Sequence, residues 1–117
     1  MQIRKEQIHS FRQASEQDYE VRLVHFLKGR FPDAARAPEA TLIEGIRPQV
    51  TNARSYGLIT EQQIAIYVTA AWLLGADFNS EYPAALQVLI SGAPADEKSD
   101  WLARFTKQLF DTLEPHN

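Results

Sequence analysis

The sequence predicts an all-α fold, a single helical domain over residues 1–117. It should be a bundle of about five helices with a central apolar helix near residues 61–74. Three observations predict it. Apolar residues recur at three- and four-residue steps, the spacing of one face of a helix. Thr60-Glu61-Gln62-Gln63 has the form of a capping box immediately before an apolar run. Finally, no convincing strand pair, internal repeat or low-complexity tract interrupts the helical pattern.

Ile8, Phe11, Ser15, Tyr19, Leu23, Phe26 and Leu27 form the first stripe, on a helix from about Arg4 to Lys28, with Ala14-Ser15 as its one candidate break. Arg12, Glu16, Glu20 and Arg22 fall between the stripe positions and should face water. Gly29 and Phe31-Pro32 end the helix, because a residue before proline is pushed out of the α region. Residues 32–38 read as a connector with two prolines. Pro38 can open a second helix, where its missing N–H is harmless. Leu42, Ile43, Ile46, Val50 and Ala53 carry that helix toward Tyr56, and Pro48 should kink it. Gly57 suits the left-handed position that closes it.

The capping box opens a third helix, Glu61 to about Leu74, closed by Gly75. Its Ile64-Ala65-Ile66-Tyr67-Val68 opening is rich in strand formers, but the cap and the length favour a helix. Apolar residues lie on most of its sides, so it is the expected centre of the bundle, with Trp72 in the core. Residues 76–82 (ADFNSEY) read as a loop leading to Pro83 and a short helix, Ala84 to Ile90. After the Ser91-Gly92-Ala93-Pro94 turn, the last helix spans about Ala95 to Leu113. Asp96, Glu97 and Asp100 at its start complement the positive end of the helix dipole. Trp101, Leu102, Phe105, Leu109, Phe110 and Leu113 should line its buried face.

Composition narrows the function. At 117 residues and 13.3 kDa, with 44% apolar residues, the chain can bury one core but has no room for a second domain of ordinary size. The absence of cysteine excludes disulfides, thiolate metal sites and cysteine nucleophiles. With a pI near 5.6 and a net charge of −3, the chain is not expected to bind nucleic acid. The least polar stretch, Ile64 to Ala76, is too short to span a membrane, for which about 20 apolar residues are needed. The opening MQIRKEQIHSF contains no apolar run of the length a secretory signal requires, so the expected compartment is the cytoplasm.

A search for catalytic chemistry finds no converging set. His9, His25 and His116 offer no metal-ligand pair at helical spacing, and His9 and His25 read as surface or partly buried side chains. Glu16 and Glu20 share a helix face, but the Glu-x-x-His partners of a di-iron bundle are missing; Glu6 with His9 is one such pair without its mate. Asp77, Asn79 and Glu81 lack the spacing of a calcium loop and read as a plain loop with capping side chains. The glycines at 29, 45, 57, 75 and 92 stand singly and build no phosphate cradle. Neither an enzyme nor a resident cofactor or metal is expected.

Charge and aromatic placement point to binding. Residues 1–30 carry six basic and four acidic side chains. Residues 61–117 carry only Lys98, Arg104 and Lys107 against eight acids. The acidic half would steer a basic partner. Tyr56, Phe78 and Tyr82 border turns and should be exposed, and aromatic side chains at a surface are favoured anchors. With the neighbouring Arg54 and Asp77 they make up the candidate partner-binding set: Arg54, Tyr56, Asp77, Phe78 and Tyr82. The alternative is a small ligand-binding bundle or enzyme with Arg54, Tyr56, Asp77 and Tyr82 around one pocket.

Three segments carry a resemblance: Arg4-Lys5-Glu6-Gln7, Ala53-Arg54-Ser55-Tyr56-Gly57 and Gly75-Ala76-Asp77-Phe78, together with the Phe31-Pro32 pair. In these the chain resembles a family of small, all-helical bacterial proteins often encoded near the spike, PAAR and toxin genes of type VI secretion systems. The likeness covers most of the first 80 residues and weakens beyond them; Pro48 departs from the pattern. It implies an accessory role as adaptor, chaperone or immunity protein, with no catalytic activity to carry over. The partner it implies is another protein, a secreted toxin or a component of the secretion spike. Self-association of the chain as a structural subunit is the alternative.

Overall fold

The computed structural model describes the backbone of residues 5–113 and the side chains of residues 18–112. Readings that rest on the side chains of Glu6, Ile8, His9, Phe11, Arg12, Ser15, Glu16, Leu113 and His116, and the Arg4-Lys5-Glu6-Gln7 segment, lie outside these described residues. Within them the chain is all-α, with seven helices and no strand: α1 (Lys5–Arg30), α2 (Pro32–Arg36), α3 (Glu39–Ser55), α4 (Glu61–Leu74), α5 (Phe78–Glu81), α6 (Pro83–Ile90) and α7 (Ala95–Leu113). None of these helices is long and apolar enough to cross a membrane. The chain divides into two compact units, Met1–Ile46 and Arg47–Asn117, with the boundary inside α3.

The count of seven in place of about five has two local causes. The segment expected to connect residues 32–38 contains α2, because Pro32 stands at the first helical position and is preset for the helix. Asp33 in its first turn and Arg36 in its last complement the ends of that short dipole. The expected loop at residues 76–82 contains one helical turn, α5, whose N–H groups at Ser80 and Glu81 donate to the Asp77 carbonyl.

In the first unit, α1 runs unbroken through Ala14-Ser15. Its described apolar stripe is Tyr19, Leu23, Val24 and Leu27, all buried. Phe26, expected on that stripe, is exposed, and the Arg30 guanidinium lies 5.5 Å from its ring centre, one turn on. Phe31 is extended, as a residue before proline must be. Its N–H nevertheless donates to the Leu27 carbonyl and its carbonyl accepts from Ala35, so α1 passes directly into α2. His25 is at the surface, 3.9 Å from the Glu39 carboxylate.

In the second unit, α3 continues past Pro48 to Ser55. It ends in a paired closure: Leu58 N–H donates to the Ala53 carbonyl and Gly57 N–H to the Arg54 carbonyl. This Schellman arrangement needs a left-handed residue, supplied by Gly57 at φ +89°. Leu58 and Ala53, the apolar partners that accompany such a closure, are both buried. The capping box of α4 is complete. Thr60 Oγ1 accepts from the Gln63 N–H at 3.1 Å, and Gln63 Oε1 accepts from the Thr60 N–H at 3.0 Å and the Ile59 N–H at 2.9 Å.

Helix α4 buries Ile64, Tyr67, Val68 and Ala71, a single stripe widened by Ala70, and packs along α7 and against α5. Trp72 does not join the core as expected: it stands one turn after Val68 at the edge of that stripe and is 37% exposed. Gly75 closes α4 at φ +114°. Helix α6 begins at Pro83 and packs on α5 and α7. The buried face of α7 is rotated from the expected one. Lys98, Ser99, Leu102 and Thr106 are buried, whereas Trp101, Phe105, Leu109 and Phe110 are half-buried.

Candidate functional site

Three features of the second unit bear on function. The first is a buried ammonium. Lys98 lies in the opening turns of α7 yet is only 7% exposed. Its Nζ donates to the Tyr56 carbonyl at 2.8 Å and to the Leu89 carbonyl at 2.9 Å. Tyr56 directly follows α3, and Leu89 lies in the last turn of α6. Both helices therefore present their negative ends to one cation, the arrangement helix dipoles favour. A lysine this deeply buried needs such partners, since an unpaired buried charge is strongly unfavourable. The sequence carried a signal for it. A basic residue among Asp96, Glu97 and Asp100 opposes the dipole of its own helix, and it stands four residues before Leu102 on the apolar stripe.

The second is an aromatic and amide cluster. Tyr67 on α4 is fully buried, its ring centre 4.9 Å from that of Phe78 and 6.0 Å from that of Tyr56. The Tyr56 hydroxyl accepts from Asn79 Nδ2 at 2.9 Å. Gln49, buried on α3, donates from Nε2 to the Ala76 carbonyl at 3.2 Å. The Tyr67 hydroxyl and Gln49 Oε1 lack hydrogen-bond partners, as does Thr106 Oγ1 on α7. Burial pushes the Tyr67 phenol far above the usual tyrosine range. The neighbouring Tyr56 adds to the shift, and the nearby Asn52 amide offsets part of it without reaching hydrogen-bond geometry.

The third is an open groove of about 450 Å³ between α6 and α7. Val88, Ala93 and Trp101 give it apolar walls, and Glu97, Asp100 and Arg104 give it charge. Trp101 stacks on Phe105 at 4.8 Å with the planes 13° apart, and Tyr82 approaches the same Phe105 ring edge-on at 5.8 Å. Among the described residues, Glu97, Asp100 and Arg104 form no ion pair.

The five candidate residues are distributed as follows. Arg54 is exposed in the last turn of α3, where its charge complements the helix dipole. Tyr56 is half-buried in the cluster around Tyr67. Asp77 is exposed, and its side chain makes no capping hydrogen bond to α5, contrary to expectation. Phe78, expected at the surface, is fully buried against Tyr67, so its ring builds the core and offers no contact to a partner. Tyr82 is half-buried against Phe105. The structure thus brings Tyr56 and Phe78 together through Tyr67 and places Tyr82 in a different aromatic group. None of the five lines the α6–α7 groove. Among the described residues, no three His, Asp or Glu side chains stand together as a metal ion would require.

Comparison with protein-family models, curated proteins and solved structures finds no match to this chain.

Proposed function

We propose that this chain is a non-catalytic protein–protein interaction module, acting in the cytoplasm as an adaptor, chaperone or immunity protein of a bacterial type VI secretion or toxin system. The observation that carries the interaction reading is the α6–α7 groove, in which a stacked, half-buried indole lies beside two carboxylates with no ion-pair partner among the described residues. Aromatic anchors flanked by charge are what partner surfaces use. The bias of residues 61–117 toward acidic side chains supports the same reading and gains weight from Lys98, whose charge is taken up by main-chain carbonyls inside the protein. Ile59 and Ile90, 78% and 67% exposed, add apolar contact area in the same unit. The secretion context rests on the likeness of Arg4-Lys5-Glu6-Gln7, Ala53-Arg54-Ser55-Tyr56-Gly57 and Gly75-Ala76-Asp77-Phe78 to the family described above.

The test is co-expression with the toxin and spike proteins encoded beside its gene, with a photo-crosslinking amino acid at position 88. A complex crosslinked at that position, with protection of toxin-expressing cells or dependence of export on this chain, is the expected result. Neither complex nor protection with any of them would overturn the reading. A larger mass for the chain on its own, by light scattering, would make it a self-associating subunit instead.

A further inference from the structure

The groove between α6 and α7 has a definite electrostatic pattern, and the pattern selects an occupant. Glu97 and Asp100 project from α7 beside Trp101. The cation between them in sequence, Lys98, turns inward to the Tyr56 and Leu89 carbonyls and forms no ion pair with either carboxylate. Two negative charges therefore remain facing solvent next to an apolar wall of Val88, Ala93 and Trp101. Arg104 lies seven residues beyond Glu97, about 10 Å along the helix axis. The groove is accordingly negative at the end nearer the α6–α7 turn and positive one to two turns further along.

We infer that this groove receives a basic amphipathic segment of a partner protein, with an arginine or lysine set between Glu97 and Asp100 and an apolar side chain against Val88 and Trp101. This rests on the interaction reading above and adds the chemistry of the partner. The indole of Trp101 is already stacked on Phe105 in the unbound chain, which reduces the freedom it has to lose on docking. Carboxylates at the groove repel the phosphates of nucleic acid and of anionic membranes, leaving a cationic peptide as the complementary occupant. Arg104 orients it, because basic residues placed along the whole segment would meet a like charge at the far end.

The test uses the full chain carrying Trp72→Phe, so that Trp101 is its one tryptophan, and two synthetic peptides with identical leucine positions. One peptide carries arginine on its polar face near one end and the other carries glutamate there. Titration should shift Trp101 emission with the arginine peptide and bind the glutamate peptide at least about tenfold more weakly. The double variant Glu97→Gln, Asp100→Asn should lose about tenfold in affinity for the arginine peptide while keeping its thermal midpoint, since both positions are exposed. Added salt should erode the preference between the peptides. Equal binding of the two peptides, no binding of either, or an unchanged affinity in the double variant would overturn the inference. A natural partner that still crosslinks at position 88 in those cases would leave the interaction reading standing. Loss of that crosslink as well would remove both.

Discussion

The ammonium of Lys98 and the main-chain carbonyl of Tyr56 meet at 2.8 Å, joining residues 42 apart in sequence and tying the end of α3 to the start of α7. The same ammonium holds the Leu89 carbonyl, so one side chain satisfies acceptors at the ends of two helices. Lys98→Met keeps most of the aliphatic stem and removes both charge-assisted bonds, leaving two carbonyls short of a donor. The expected loss is about 2–4 kcal/mol of unfolding free energy, measured by urea denaturation. A variant as stable as the parent would show that water replaces the ammonium at no cost.

Gly57 and Gly75 both have positive φ, but in different regions of backbone space. Gly57 sits at φ +89° in the closure of α3, and a Cβ there would meet Lys98 Nζ at an ordinary 3.9 Å. Gly75 combines φ +114° with ψ 153°, a region that is nearly glycine's alone. Nothing stands within 4 Å of a Cβ built on Gly75, so the difference is conformational rather than steric crowding by neighbours. Gly57→Ala should cost about 1 kcal/mol and Gly75→Ala about 2–3 kcal/mol. Thermal melts of the two variants side by side give the order, and the reverse order would contradict it.

What the sequence made legible divides along the range over which each interaction acts. The start of α4 is written in Thr60 and Gln63, and its end in Gly75, because caps and left-handed closures involve residues three to five apart. The same holds for Gly57 after α3, Pro83 at the start of α6 and the span of α7. The short helices α2 and α5 escaped because proline and polar residues read equally well as loop or as a single helical turn. Phe78 escaped because its burial is decided by Tyr67, on another helix, and by no neighbour in the chain. The buried face of α7 was misplaced for a related reason: Lys98 and Thr106 occupy inward positions that hydrophobicity alone assigns to Trp101 and Phe105. The groove depends on how α6 packs on α7, and none of the five residues chosen from the sequence lies in it.

The reciprocal bonds of Thr60 and Gln63 allow a direct test of how far a local device contributes to the second unit. Thr60→Ala should lower stability by about 1 kcal/mol. Gln63→Ala frees the Ile59 and Thr60 N–H groups, both exposed, which water can satisfy, so its cost should be smaller. A double-mutant cycle by denaturant unfolding should give a coupling of about 0.5 kcal/mol or more, as expected for two residues in one hydrogen-bond network. Strict additivity would mean that the two bonds form independently.

Tyr67 offers the sharpest contrast with Lys98, because its hydroxyl is buried without a hydrogen-bond partner. Tyr67→Phe removes a hydroxyl that lost its water on folding and makes no hydrogen bond in the folded protein. The variant should be as stable as the parent or up to about 1 kcal/mol more stable at neutral pH. Alkaline pH separates the two proteins further. In the folded protein burial holds the phenol neutral far above the ordinary value of 10.0, whereas in the unfolded chain it ionises near that value. Above about pH 10 the unfolded state therefore binds fewer protons than the folded state, and Tyr67 contributes a fall in stability of up to about 1.4 kcal/mol per pH unit. Below that pH both states hold the proton and the contribution is constant. Urea unfolding of the parent and of Tyr67→Phe across pH 8 to about 11 should show the parent losing stability more steeply at the alkaline end. Parallel curves would mean that the folded phenol ionises as freely as the unfolded one and that its burial beside Tyr56 and Phe78 does not hold the proton.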